Sequence, residues 1–369
     1  MSEVTAAGRR ASSAPRRNPF LRLAAALALA AVAPLAAAPA AAAPAAESAE
    51  AKPIDEGMFV TINGVEQWIT IRGSDRRNPV ILMLHGGPGM GMSGAAPFFA
   101  DWEKHYTIVQ WDQPGGGATY AKNMANGVGP ITIDRYAKDG IAVTEFLRTH
   151  LGKDKIAVMG FSWGTLLGVE MVQRRPELFS AYIGSAQVVS GPRGTLLGYR
   201  MALEAARKRG DAAAVGALEA AGPPPYTSLQ PYLVRQQYAM GPASLEPPKA
   251  AVYMGIATAP PPPGAHYVAA GMPSFDWFGV FVQTWSGIYQ EQLTWEAEKL
   301  GLRFKMPVFI FQGAEDINTP ASMAMDYCRR IKAPAKACET IPGAGHNTVY
   351  FREDLLALLD KHVRPILTR

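Results

Sequence analysis

The sequence has 369 residues, 48% of them hydrophobic and 18% charged, a balance ordinary for a globular protein and long enough for one large core or a core with a smaller second domain. The formal net charge is +5, but residues 1–46 hold five Arg against one Glu and so carry +4 of it. The remainder is close to neutral and leaves no charge-based ground for a nucleic-acid partner.

Residues 1–46 read as a secretory signal peptide. Arg9, Arg10, Arg16, Arg17 and Arg22 precede an apolar run from Leu23 to Ala33, and Ala/Pro sequence follows to Ala45–Ala46. The Arg16-Arg17 pair has the look of a twin-arginine signal, with Pro19 as a departure. The alternative is a basic tail with a short membrane anchor. The chain is therefore expected to be exported, periplasmic or secreted. No later stretch has roughly 18 uninterrupted apolar residues, so no stable membrane insertion is expected after the signal is removed. Residues 47–57 are polar and are expected to form a flexible linker.

Predicted strands and helices then alternate. Residues 58–62 and 65–73 flank Asn63-Gly64 and predict a hairpin. Apolar runs at 79–85, 106–112, 155–160, 180–186 and 307–313 predict buried strands, with a further strand at 337–343. Helical patterns cover Ile133–His150, the stretch after Trp163, Ala321–Ile331 and Thr348–His362. This order predicts an α/β fold with a mostly parallel sheet. Residues 191–300 differ: helix-forming runs at 200–209 and 212–222 are followed by the proline-rich GPPPY, EPP and APPPPG stretches. They predict a helical cap inserted between core segments 58–190 and 301–369.

The chemistry is expected where these strands end. In GFSWG (160–164), Ser162 lies between a strand and a helix with glycine two positions to either side. That is the pattern of a nucleophile elbow. Such a serine needs a base, an acid to orient it and donors for an oxyanion, with the acid and then the His following in the chain. Asp316, just past the 307–313 strand, is the candidate acid, ahead of Glu315. His346, just past the 337–343 strand, is the candidate base, ahead of His266 and His362. The non-catalytic alternatives are a helix cap for Asp316 and a packed loop residue for His346. The backbone N–H groups of Trp163 and of Gly87, in HGGPG (85–89), are the candidate oxyanion donors. His85 is read as a structural hydrogen-bonding residue. Cys328 and Cys338 are equally compatible with one disulfide or two buried thiols. No Cys/His spacing suggests a metal, and the chemistry needs no cofactor.

HGGPG, WDQPGGGATY (111–120), GFSWGT, GAED (313–316) and GAGHN (343–347) together resemble the prolyl aminopeptidase (proline iminopeptidase) branch of the α/β-hydrolase superfamily. The resemblance covers about 58–190 and 300–369. It implies an eight-stranded core, a helical cap between strands six and seven, a Ser162–Asp316–His346 triad and an oxyanion hole from Gly87 and Trp163. Two departures bear on the substrate. Pro114 stands where the branch usually has Arg, and the cap lacks its Trp-x-x-Trp-Glu stretch. Trp295-Glu296 matches only the last two letters. An aminopeptidase needs a carboxylate to hold a protonated amine in a partly dry pocket. Asp276, among aromatics in SFDWFGVFVQTWSGIY (274–289), is the first candidate and Glu296 the second. Glu246 is a further cap candidate, while Glu204, Asp211 and Glu219 sit among helix formers and read as solvated. The expected function is a serine hydrolase acting through an acyl-enzyme, releasing N-terminal proline or a similar residue from a small molecule or short peptide. The alternatives are an esterase or amidase of small acyl substrates and, remotely, a non-catalytic binding protein. Oligomeric state is left open.

Overall fold

The computed structural model describes residues 51–125, 127–240 and 277–368. The expected signal at 1–46 and the candidates Glu246, His266 and Asp276 lie outside the described residues.

Eight strands form one sheet in the order β1-β2-β4-β3-β5-β6-β7-β8. Strands β1 (Ile54–Ile62) and β2 (Val65–Gly73) make the antiparallel hairpin around Asn63-Gly64. The hairpin register pairs Ile54 with Gly73, so the two arms are equal in length. Residues 54–57, expected in the linker, are therefore strand: nine-residue β2 offers a ladder partner to each of them. Strands β3 (Val80–Leu84), β4 (Thr107–Asp112), β5 (Ile156–Phe161), β6 (Phe179–Ser185), β7 (Val308–Gly313) and β8 (Lys336–Ile341) are mutually parallel, and β2 joins β4 antiparallel.

Both faces of the parallel strands are covered, which explains their continuous apolar runs. Leu82, Leu84, Val109 and Val158 pack on one face with Tyr136, Val143, Leu166 and Met171. The alternate residues Ile81, Met83, Ile108 and Met159 pack on the other with Phe99, Trp102, Leu355 and Val363. The first layer includes α2 (Ile133–Leu151) and α3 (Trp163–Arg174), which follow the short α1 (Gly117–Asn123). Thr132 caps α2 by accepting the Arg135 N–H, and Gly152 ends it at φ 62°.

Between β6 and β7 lie α4 (Gly191–Arg209), α5 (Ala212–Ala221), α6 (Leu229–Met240) and α7 (Trp277–Thr294). The cap region is thus helical where described. Tyr199, Ala202, Ala206, Ala214, Leu218 and Ala239 form a small core of its own. On α7, Trp285 and Ile288 join the main core, so the aromatic repeat there does serve packing.

After β7 comes α8 (Ala321–Arg330), which a disulfide from Cys328 to Cys338 joins to β8. The terminal helix expected over 348–362 is divided instead: a 3-10 turn at Thr348–Tyr350, α9 (Arg352–Leu358), a π turn at Leu359–Val363 and α10 (Arg364–Leu367). Pro365 supplies the reason for the last break. It has no N–H for the Lys361 carbonyl and its ring crowds that carbonyl, so the preceding turn widens.

Candidate active site

The sheet order reverses between β3 and β5, where chain connections leave the two strands in opposite directions. A crevice at the carboxyl ends of the strands is expected at such a point. The HGGPG loop leaves β3 there and Ser162 leaves β5.

Ser162 has φ 51° and ψ −118°, an unusual backbone for a non-glycine residue. Its two flanking glycines make room for it. A Cβ on Gly160 would lie 2.3 Å from the Gly164 carbonyl oxygen, and one on Gly164 would lie 2.1 Å from the Leu84 carbonyl oxygen. The turn can close, and α3 can lie against β3, only because both side chains are absent.

Loops from β7 and β8 bring two further residues to this serine. His346 Nε2 is 2.9 Å from Ser162 Oγ. His346 Nδ1 is 3.1 and 3.2 Å from the Asp316 carboxylate oxygens. Asp316 is buried and also accepts from the Asn318 and Thr319 backbone N–H groups, each at 2.9 Å. Thr319 Oγ1 (2.7 Å) and Gln312 Nε2 (2.9 Å) add two more donors. Those donors fix the carboxylate in place. With the carboxylate on Nδ1, the imidazole proton is held there and Nε2 is left to accept from Ser162. The structure thus brings Ser162, His346 and Asp316 together. The helix-cap alternative for Asp316 does not apply, because Pro320 occupies that position before α8. Glu315 is exposed, and His362 bonds Glu339 at 2.9 Å away from this group.

Gly87 lines the same cavity, with φ 117°, a conformation that L side chains rarely adopt. Trp163 is the first residue of α3, where an N–H has no intrahelical acceptor and the helix dipole presents its positive end. His85 is buried. Its Nε2 accepts from the Gln113 N–H at 3.1 Å, so Nδ1 donates to the Gly86 carbonyl at 2.7 Å. Burial pushes its imidazole below the usual histidine range, against the opposing pull of the Gly86 bond and Asp112. His85 is thus a neutral brace for the loop.

Several supports were not singled out from the sequence. Gln113 accepts from Trp163 Nε1 at 2.9 Å and joins the WDQ and elbow segments. Asp112 accepts from Met92 N, Ser93 N, Ser93 Oγ and Ala118 N, which ties the loops after β3 and β4 together. Asn318 Nδ2 is 3.1 Å from His346 Nε2. Arg235, on α6, donates to the Asn318 side chain and to its backbone carbonyl.

Above Ser162 is a cavity of about 540 Å³, roofed by cap residues that include Tyr232, Arg235, Phe281 and Trp285. Phe281 and Trp285 stack nearly parallel with centroids 6.1 Å apart. Glu296 does not reach the described wall of this cavity. It follows α7 in an extended bridge to Ser190, and its carboxylate is 2.9 Å from Lys299 Nζ and 3.9 Å from Arg193 Nη2. The other acids read as solvated behave so where described: Glu204 is exposed, Asp211 caps α5 and Glu219 pairs with Arg207 at 2.7 Å.

Residues 79–216 match the alpha/beta hydrolase fold family. The proline iminopeptidase-related protein of Thermus thermophilus superposes over 85% of this chain and 99% of its own, with a TM-score of 0.54 at 18% identity.

The chain has the α/β-hydrolase fold.

Its sequence relatives carry peptidase names. A probable aminopeptidase of Bacillus subtilis (strain 168) is 38% identical over 142 residues, 38% of this chain and 44% of that protein. A proline iminopeptidase of Xylella fastidiosa is 33% identical over 129 residues, 35% of this chain and 38% of that protein. Each match spans less than half of the relative's length. The α/β-hydrolase fold accounts for the order of the site segments along the chain: elbow after β5, Asp316 after β7, His346 after β8.

Proposed function

We propose that the protein is a serine hydrolase that works through an acyl-enzyme on Ser162. The observation that carries this reading is the continuous hydrogen-bonded path from Ser162 Oγ to His346 Nε2 at 2.9 Å and from His346 Nδ1 to Asp316 at 3.1 Å. In the proposed mechanism His346 takes the Ser162 proton on Nε2 as Oγ attacks the substrate carbonyl. The backbone N–H groups of Gly87 and Trp163 stabilise the oxyanion of the tetrahedral intermediate. That intermediate collapses as His346 gives its proton to the leaving group, and the acyl group remains on Ser162. Water, deprotonated by His346, then attacks the acyl-enzyme and regenerates the serine. Asp316 holds the Nδ1 proton and stabilises the imidazolium formed in each step.

The relatives' names extend the proposal to release of an N-terminal residue, proline or one like it. Such a substrate requires an acid for its amine. Glu296 is engaged with Lys299, which leaves Asp276 as the candidate of the two. A second reading, hydrolysis of small esters or amides without a charged amine, is favoured by the described cavity wall, which contains no Asp or Glu. We further propose that the chain is exported, on the arginine-rich and apolar pattern of residues 1–46.

Turnover of prolyl-p-nitroanilide beside p-nitrophenyl acetate and butyrate, with Ser162→Ala as control, tests both levels. Loss of all turnover in Ser162→Ala is expected, and activity unaffected by it would end the acyl-enzyme proposal. Turnover of the anilide that disappears on N-acetylation is the aminopeptidase outcome. Turnover of the esters alone would support the second reading.

A further inference from the structure

We propose that the cap supplies a carboxylate-binding subsite centred on Arg235, so that the preferred substrate carries a negative charge close to its scissile bond. This deepens the serine-hydrolase reading of the same cavity and rests on it for the reaction.

The first observation is a buried cation that, among the described residues, has the Tyr232 ring beside it (Cζ 6.0 Å from the ring centroid) but no carboxylate. Arg235 is 2% exposed. Its Nη1 donates to Asn318 Oδ1 and to Gln236 Oε1 (3.1 Å), and its Nη2 donates to the Asn318 backbone carbonyl (2.9 Å). All of these are neutral oxygens, and Nε has no partner. Among the described residues no carboxylate lies within ion-pair distance. A buried guanidinium without a counter-ion is costly, and such groups are ordinarily paired. Asp316 acts on it only from a distance, and its oxygens are already taken by His346, Asn318, Thr319 and Gln312.

The second observation is the wall around it. Arg235 lines the cavity over Ser162, and none of the described lining residues is Asp or Glu. Gln236, Gln237, Thr195 and Asn347 add neutral polar groups, and Phe281 and Trp285 add aromatic ones. A cavity with one sign of charge and a low-dielectric wall favours a ligand of the opposite sign. The edge of the guanidinium fork left over, Nε with the second hydrogen of Nη2, suits a carboxylate better than a point cation would.

The third observation is distance from the reaction. Asn318 accepts from Arg235 through Oδ1, and its Nδ2 is 3.1 Å from His346 Nε2. One side-chain amide therefore separates the cation from the proposed base. A carboxylate a few bonds from the scissile carbonyl falls at this position. It can belong to the acyl part, as in a half-ester of a dicarboxylic acid, or to the leaving part, as in the terminal amino acid of a dipeptide.

The test compares kcat/KM within two substrate pairs. p-Nitrophenyl hemiglutarate against p-nitrophenyl butyrate places the charge on the acyl side. Prolyl-alanine against prolyl-alaninamide places it on the leaving side. A preference on the order of 10-fold or more for the carboxylate member of one pair is expected, the scale of one charge-assisted hydrogen bond. The ratio should fall toward unity in Arg235→Gln and survive in part in Arg235→Lys, which keeps the charge without the fork. No preference in either pair, or one unchanged in Arg235→Gln, overturns the subsite. Should Arg235→Gln lose both members of a pair, the ratio in Arg235→Lys decides in the same way. A binding measurement separates the subsite from the reaction. In Ser162→Ala, glutarate should raise Tm more than glutaramide does. Equal shifts speak against the subsite whatever the kinetics. A glutarate-specific shift in a protein whose turnover ignores Ser162 would leave the subsite standing and remove the acyl-enzyme reading.

Discussion

Ser162 keeps its backbone at φ 51° because two neighbours give up their side chains, and they do so against different obstacles. Gly160 clears the turn itself, since its missing Cβ would meet Gly164. Gly164 clears a separate strand, since its missing Cβ would meet the Leu84 carbonyl. The first requirement is visible in the local sequence; the second depends on a distant residue, on another strand, and is not. Gly164→Ala should therefore cost about 3 kcal/mol or more in urea-unfolding stability, because backbone rather than a pliable side chain must move. Ser162, Asp316 and His346 were legible because each falls at the end of a predicted strand and in the required order. Asn318 and Thr319 were legible in principle: an Asp whose carboxylate accepts N–H groups two and three residues on is a local turn pattern. Arg235 left no such trace, since its bonds to Asn318 cross 83 residues. If Asp316 orients His346 as proposed, Asp316→Asn should reduce kcat on the order of 10⁴-fold while ester KM changes little, the scale of losing that carboxylate from a serine triad. Steady-state kinetics at saturating ester would check it.

Elements with a single dominant pattern could be read directly. The buried parallel strands are continuous apolar runs, and α2 has a Thr before it and a Gly after it. Where two influences met, the reading was less accurate. The polar IDEG start of β1 gave no apolar signal, and only its pairing with β2 makes it strand. The terminal segment had a helical pattern throughout, and Pro365 accounts for its last break, at the π turn. Sequence left the pairing of the two cysteines undecided because α8 and β8 had to be docked before their thiols could meet. Their bond closes a short loop, with a sequence separation of 10. Replacing both by Ser should lower stability by about 2–3 kcal/mol, chiefly through the less constrained unfolded chain. Ester turnover at 25 °C should change little, since neither cysteine lines the cavity. Denaturant midpoints and kcat measured on the same preparation would separate the two effects.

At the scale of the whole molecule, pH should act on stability through His85. Its folded imidazole is held below the ordinary value of 6.5 by burial. As pH falls through 6.5 the unfolded chain takes up this proton first and the folded one does not. The unfolded state then binds more protons, so stability rises with pH in this window and falls below it. Urea midpoints should drop between about pH 7.5 and 5.5, and the drop should be smaller in His85→Gln, which cannot take up the proton. An equal drop in both proteins would assign the pH dependence to other groups.

The position of the cap has a consequence for the chain as an assembly. Everything through β6, Ser162 included, precedes the cap; β7 and β8, with Asp316 and His346, follow it. The two parts are joined in the sheet by the β6–β7 ladder, from Tyr182–Val308 to Ser185–Phe311. A chain cut in the turn between α5 and α6 would place the nucleophile on one fragment and its acid and base on the other. Neither fragment would hold a working set, and only re-formation of that ladder, with the Ser190–Glu296 bridge and the shared core, would restore it. Hydrolysis would then report whether two separately made halves had found each other.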